Sequence, residues 1–233
     1  MLILTDLDDT LFQTKPKCPA HDTHLLPMSY LRDGSESGYA TRRQQSLIAW
    51  LSQGDIVPVT ARDRETLSRV NISQKPAICA NGGCIITPSG EIDAEWHDML
   101  TQQSKADRLV TEVHHSLTGH LDERFRHWIL KEGELDLYIV IKSNIDDGES
   151  LNLLLAEIHR RKPAGWRIHR NGNNLAILPS WLNKRNAAQY FINKVRDETP
   201  HQLIIGMGDS HSDVDFMDLC DMAMTPTSSQ IWK

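Results

Sequence analysis

Asp6 and Asp8 flank a single leucine, one residue after the apolar run Leu2, Ile3, Leu4. On extended backbone, residues i and i+2 point to the same side, so these two carboxylates would share one face. One could attack a phosphorus atom while the other handles the leaving-group proton. Asp209 and Asp213 follow a second apolar run at 202–207, Thr60 and Asn81 each close a further apolar run, and Lys184 opens a helical stretch. Carboxylates converging on one sheet edge repel one another unless a cation joins them. Oxygen donors without a nearby His or Cys favour a hard divalent ion, magnesium rather than zinc. Such a metal and Lys184 would neutralise the oxygens of a phosphate monoester while Thr60 donates a hydrogen bond, and positioning with charge stabilisation supplies most of phosphoryl-transfer catalysis. Arg62, just beyond Thr60, is either a surface charge or a substrate contact, and Asn81 is a second candidate substrate contact.

Those side chains need a scaffold that gathers them. Segments 1–7, 55–61, 76–80 and 202–207 are short, apolar and followed by polar or glycine residues, as expected for strands of one parallel sheet buried on both faces. Residues 41–52 predict a crossover helix, with Thr41 and Gln44 as a capping-box pair, Leu47, Ile48 and Leu51 as the apolar face, and Gly54 as the stop. Another helix, capped by Asn183, presents Ala188, Phe191, Ile192 and Val195 and leads into the 202–207 strand. Alternating strands and helices imply a doubly wound α/β core, in which ligands sit at the carboxyl ends of the strands.

The rhythm changes between 85 and 179. There the pattern is a hairpin at 85–92, a helix facing inward through Ala106, Leu109, Val110, Val113 and Leu117, strands at 125–131 and 135–142, and a helix through Leu151, Leu154, Leu155 and Ile158. A last hairpin, 166–170 with 174–178, turns at Asn171-Gly172. The expected organisation is a discontinuous core, 1–84 with 180–233, and an α+β module at 85–179.

Composition narrows the function classes. Of 233 residues, 31 are acidic and 25 basic, a net charge of −6, with 39% apolar and 24% charged residues. That is enough apolar material for a packed core and too little charge bias for disorder. The basic clusters are short, so no nucleic-acid partner is expected. No apolar run approaches the roughly 20 residues of a membrane span, and no signal-peptide pattern opens the chain, so the default expectation is a cytoplasmic protein with no membrane partner. The four cysteines are scattered and expected to be reduced. Cys18, His21 and His24 are spaced like ligands but lack a fourth, which favours a solvated loop over a zinc site. Nothing here speaks to oligomeric state.

Four motifs together resemble the haloacid dehalogenase superfamily of phosphohydrolases. They are Asp6-Leu7-Asp8-Asp9-Thr10, Val57-Pro58-Val59-Thr60-Ala61-Arg62, Lys184, and Gly206-Met207-Gly208-Asp209 with Asp213, and they occur in that family's order. The long insert and Asn81-Gly82-Gly83 resemble its Cof-type and sucrose-phosphatase-like branch, in which an α+β cap roofs the site. The resemblance implies a Rossmann-like core with an inserted α+β cap that sets specificity for a small-molecule phosphate ester, a sugar phosphate foremost. It implies Asp6 as the nucleophile and Asp8 as general acid and then base, with magnesium held by Asp6, the backbone carbonyl of Asp8 and Asp209, and with Asp213 ligating or orienting it. Thr60 and Lys184 would bind the phosphoryl group. A phosphatase is favoured over a dehalogenase because the second acid is present. A phosphomutase, or a regulator that only binds a phosphorylated ligand, remains open. The sequence departs from the pattern at Asp9, where that branch commonly has glycine, and at Ser212, where it commonly has asparagine. The stretch 12–40 is long for the branch and reads as a flap or a loose loop. His114, His115, His120 and His127, in the inserted module, read as solvated or half-buried imidazoles.

Overall fold

The computed structural model describes residues 1–119, 121–145 and 149–233, so His120 lies outside the described residues. In chain order the elements are β1 (Leu2–Thr5), β2 (Leu26–Tyr30), β3 (Glu36–Ala40), α1 (Arg42–Leu51), β4 (Asp55–Pro58), α2 (Arg64–Leu67), β5 (Ala77–Cys79), β6 (Cys84–Ile86), α3 (Ala94–Lys105), α4 (Val110–Thr118), β7 (Phe125–Glu132), β8 (Leu135–Ser143), α5 (Glu149–Arg161), β9 (Arg167–Asn171), β10 (Asn174–Leu178), α6 (Lys184–Glu198), β11 (Ile204–Met207), α7 (His211–Met217) and β12 (Met222–Met224). They form two compact units, Met1–His97 with Lys184–Lys233, and Asp98–Asn183.

In the first unit a parallel sheet runs β12-β11-β1-β4. β1 is buried along its whole length, which is why a run of Leu-Ile-Leu can occupy the centre of a sheet covered on both faces. It pairs with β4 on one side, Leu4 opposite Val57, and with β11 on the other, Leu4 opposite Gly206. The chain leaves β1 in one direction and returns to it from the other, which opens a crevice at the carboxyl ends of β1 and β11. α1 forms as its capping box predicts: Gln44 N donates to Thr41 Oγ1 at 3.3 Å, and Thr41 N donates to Gln44 Oε1 at 2.9 Å. Its Leu47, Ile48 and Leu51 pack with Ile3, Ile56 and Ile205.

The structure corrects two expectations here. β5 pairs antiparallel with β6 and meets the parallel sheet at its edge, through a parallel bridge between Val59 and Ile78 beyond the end of β4, rather than as a full member of it. The chain reverses tightly after β5 because Ala80, Asn81 and Gly82 take φ of 52°, 58° and 92° in succession, and the fourth parallel strand is β12 instead. Residues 26–40 are a β2–β3 hairpin rather than a loose loop. Tyr30 N donates to Arg69 O at 3.0 Å, Asn71 N to Met28 O at 2.7 Å, and Gln13 and Tyr39 exchange backbone bonds of 3.0 and 2.7 Å. The compact units are bounded at 97/98 and 183/184. β6 belongs with β5, and the first turn of α3 is fastened to the same unit: Trp96 Nε1 donates to Gly82 O at 2.9 Å, and Tyr190 Oη to Asp93 Oδ1 at 2.9 Å.

The second unit is an antiparallel sheet ordered β7-β8-β10-β9. Val113 and Leu117 of α4 and Leu151, Leu154 and Ile158 of α5 pack on Ile139, Ile141, Leu175 and Ile177, as the apolar spacing predicts. α4 starts later than expected, at Val110 with Leu109 as its exposed N-cap residue. Ahead of it lies α3, whose Trp96 and Leu100 are buried one helical turn apart. Asn171 pairs with Asn174, so the two-residue turn is 172–173, one position beyond the expected Asn171-Gly172, with Gly172 at φ 57°. Among the described residues no helix is long and apolar enough to cross a membrane.

Candidate active site

Asp6 is the residue that follows β1, and its N–H donates to Met207 O at 2.8 Å, so the ends of β1 and β11 are locked side by side. Asp209 follows β11 by one intervening glycine, and Asp213 lies in the first turn of α7. Oxygens of Asp6, Asp209 and Asp213 come within 4.8 Å of one another, and all three residues are buried. Lys184, the first residue of α6, donates Nζ to Asp6 Oδ1 and to Asp213 Oδ1, each at 2.7 Å. Four residues separated by most of the chain therefore meet at the crevice.

Two glycines permit this approach. A Cβ on Gly208 would stand 2.3 Å from Asp213 Cβ, and one on Gly206 would stand 2.8 Å from Met217 Cα, so α7 rests against β11 only because neither position carries a side chain. The Asp213 carboxylate is also tied to its own helix start, accepting from Ser210 N at 3.1 Å and Ser210 Oγ at 2.7 Å.

Burial sets the electrostatics. Desolvation pushes the Asp6 carboxyl well above the usual carboxylate range; Lys184 opposes this, while Asp213 and Asp8 add to it. Asp209 is pushed up to about 6, first by burial and then by Asp213 and Asp9, and it has no ion-pair partner among the described residues. Asp213 moves the other way, because Lys184 and Ser210 outweigh its burial. Burial alone would lower the Lys184 ammonium, but Asp6 and Asp213 outweigh it and hold it charged. The donor set fits a magnesium ion: three buried carboxylates, all oxygen, carry more negative charge than one lysine balances.

Asp8 takes no part in that cluster. Its carboxylate lies in the fork of Arg62, with Nε to Oδ2 and Nη2 to Oδ1 both at 2.8 Å. Thr60 is buried and its hydroxyl oxygen accepts from Arg62 N at 3.1 Å, which leaves its O–H free to donate. Asn81 is brought to Thr60 through the backbone, Asn81 N donating to Thr60 O at 3.0 Å, while Ala80 N donates to Arg62 O at 2.7 Å. Asp9 has φ 64°, a conformation that glycine adopts freely and that Asp tolerates better than most residues. Thr10 lies between the acids, its Oγ1 3.4 Å from Asp6 Oδ2 and 3.3 Å from Asp209 Oδ1. Its place in the first motif was the signal that could have added it to the site. Ser29 and Phe12, which pack around Arg62, carried no such signal. Cys18 Sγ accepts from Gln13 Nε2 at 3.3 Å, away from the acid cluster.

No protein-family model matches the chain, and no curated protein matches its sequence. Solved structures do share its fold. Sucrose-phosphatase from Synechocystis, solved with sucrose and phosphate, is 16% identical over 94% of this chain and 79% of its own, with a TM-score of 0.55. A Thermoplasma acidophilum protein is 15% identical over 98% and 85%, TM-score 0.57. The C-terminal domain of C. albicans trehalose-6-phosphate phosphatase is 14% identical over 93% and 72%, TM-score 0.53. The architecture is thus the α/β class expected from the motifs, a parallel Rossmann-like core with an inserted α+β module.

Proposed function

We propose that the chain is a magnesium-dependent phosphatase that hydrolyses a small phosphorylated metabolite, a sugar phosphate, through an aspartyl phosphate on Asp6. The observation that carries this reading is the pairing of Asp6 with Lys184 beside Asp209 and Asp213, in a crevice where a phosphoryl group would meet both positive charge and a carboxylate nucleophile. Asp6 attacks phosphorus, forming an Asp6–phosphorus bond as the bond to the ester oxygen breaks, and Asp8 donates a proton to the departing oxygen. Asp8 then takes a proton from water, which hydrolyses the acyl phosphate and frees Asp6 with inorganic phosphate. Thr60 and Lys184 hold the phosphoryl oxygens, and Asn81 contacts the substrate. Magnesium, held by Asp6, Asp209 and Asp213 with the Asp8 carbonyl, supplies charge neutralisation. The sugar-phosphate class is supported by two proteins that share the fold, a sucrose-phosphatase and a trehalose-6-phosphate phosphatase. In this reading the inserted module at 85–179 selects among leaving groups, because Asp6, Thr60 and Lys184 meet only the phosphoryl group common to every ester.

The test is phosphate release from a panel of sugar phosphates, nucleotides and cofactor phosphates, with Asp6→Asn and Asp8→Asn as controls. Asp6→Asn should abolish turnover, and Asp8→Asn should slow it by the roughly 10²- to 10⁴-fold that general acid–base catalysis supplies. Turnover by pure Asp6→Asn protein at more than a few percent of wild type would overturn the assignment. Isomerised phosphate ester in place of free phosphate would point to a phosphomutase.

A further inference from the structure

Arg62 is the best-built side chain in the crevice that the reaction above does not use. Its guanidinium engages both oxygens of Asp8 at 2.8 Å, lies 5.5 Å from the centre of the Phe12 ring, and has Nη2 3.5 Å from Ser29 Oγ. Phe12 and Ser29 are fully buried. Both belong to the 12–40 excursion, and Gly38 of β3 makes room for them: a Cβ there would stand 2.4 Å from Ser29 Oγ and 2.8 Å from the Phe12 ring. The hairpin is thereby part of Arg62's setting.

We infer that Arg62 is a positioning residue, which holds the Asp8 carboxylate in place for proton transfer, and that the β2–β3 hairpin exists in part to hold Arg62. This rests on the phosphatase reading above. Three features support it. A two-pronged contact fixes the plane of a carboxylate as well as its position, which a single ammonium cannot do. The fork takes one lone-pair direction from each Asp8 oxygen and leaves another on each for a leaving group or water. The guanidinium is itself held from below by an aromatic face, a contact that a rigid planar cation makes well.

The experiment uses the full-length protein and compares two esters, an alkyl phosphate, whose poor leaving group needs protonation, and an activated aryl phosphate, whose leaving group does not. Arg62→Ala should lower kcat on the alkyl ester at least about tenfold, a share of the ~10²- to 10⁴-fold that acid–base catalysis supplies, with a much smaller fall on the aryl ester and little change in KM. In an Asp8→Asn background the same substitution should cause almost no further loss, because the partner it positions is gone. Arg62→Lys should behave like Arg62→Ala, and free guanidinium should partly rescue Arg62→Ala. Gly38→Ala, which leaves every reacting group in place, should reproduce the ester-dependent loss in weaker form. A rise in KM with equal losses on both esters, additive with Asp8→Asn and restored by lysine, would make Arg62 a substrate-binding cation and overturn the inference. Equal losses on both esters that track a lower Tm would also overturn it, by reducing Arg62 to a structural role. If the wild type releases phosphate from no ester, or if Asp6→Asn stays active, the phosphatase reading fails and this inference falls with it. An active wild type with additive losses overturns the Arg62 assignment alone.

Discussion

Lys184 Nζ stands 2.7 Å from Asp6 Oδ1, although the two residues are 178 positions apart in sequence. The contact joins the start of α6 to the end of β1, and it places a buried ammonium on the proposed nucleophile. Removing one partner of a buried ion pair leaves an uncompensated charge. Lys184→Met should therefore lower stability by roughly 3–5 kcal/mol in chelator and by less in excess magnesium, which would take over part of the charge balance. Denaturant unfolding in the two conditions gives the comparison, and equal losses would argue against a shared cation site.

Magnesium should stabilise the folded chain, because a ligand that binds the native state alone raises its stability by mass action. Thermal unfolding should shift upward with added magnesium in the wild type and much less in Asp209→Asn. Calcium should also bind but support little turnover, since its looser, higher coordination can draw Asp6 into two-oxygen ligation and spoil its line of attack. Full activity in excess chelator would remove the metal from the reaction.

Gly208→Ala tests the close approach of α7 to β11. The new methyl would lie 2.3 Å from Asp213 Cβ. Lys184 and Ser210 both hold that carboxylate, so it cannot move away without leaving the cluster. A misplacement of about 1 Å can reduce a rate by ~10²-fold, and a fall in kcat of that order is expected with the fold retained by circular dichroism. Wild-type kcat in Gly208→Ala would show that Asp213's position is not critical.

A pH effect on stability is expected from the second unit. His114 Nε2 and His127 Nδ1 are 2.9 Å apart, a hydrogen bond that requires one neutral ring, and burial together with the His127 charge lowers the His114 pKa below 6.5. The unfolded chain therefore binds a proton that the folded chain resists. The His114 contribution should be constant above about pH 7 and decline as pH drops from 6.5 through the lowered His114 value. The raised Asp6 and Asp209 carboxyls give the opposite slope, so the His114 contribution is read from the difference between wild type and a His114 variant. The decline should flatten in His114→Asn. An unchanged slope in that variant would assign the effect to other groups.

Much of the site was legible in the chain itself, because local signals encode local structure. The apolar run before Asp6 reads as a buried parallel strand, and Thr41 with Gln44 reads as a helix start. Asp6, Asp8, Thr60, Lys184, Asp209 and Asp213 all fall at ends of such elements. What only the tertiary structure decided concerns pairings between distant segments, which no local pattern carries. It separated Asp8 from the cluster of Asp6, Asp209 and Asp213 and gave it to Arg62. It left β5 joined to the parallel sheet by a bridge at its edge and paired it antiparallel with β6, because three successive positive φ angles at Ala80–Gly82 favour a hairpin over a crossover. It also made the stretch around Ser29 a hairpin that packs beside Arg62. Short strands such as β2 and β3 have little periodicity of their own, and their stability comes from the backbone bonds they make to each other and to residues 13, 69 and 71.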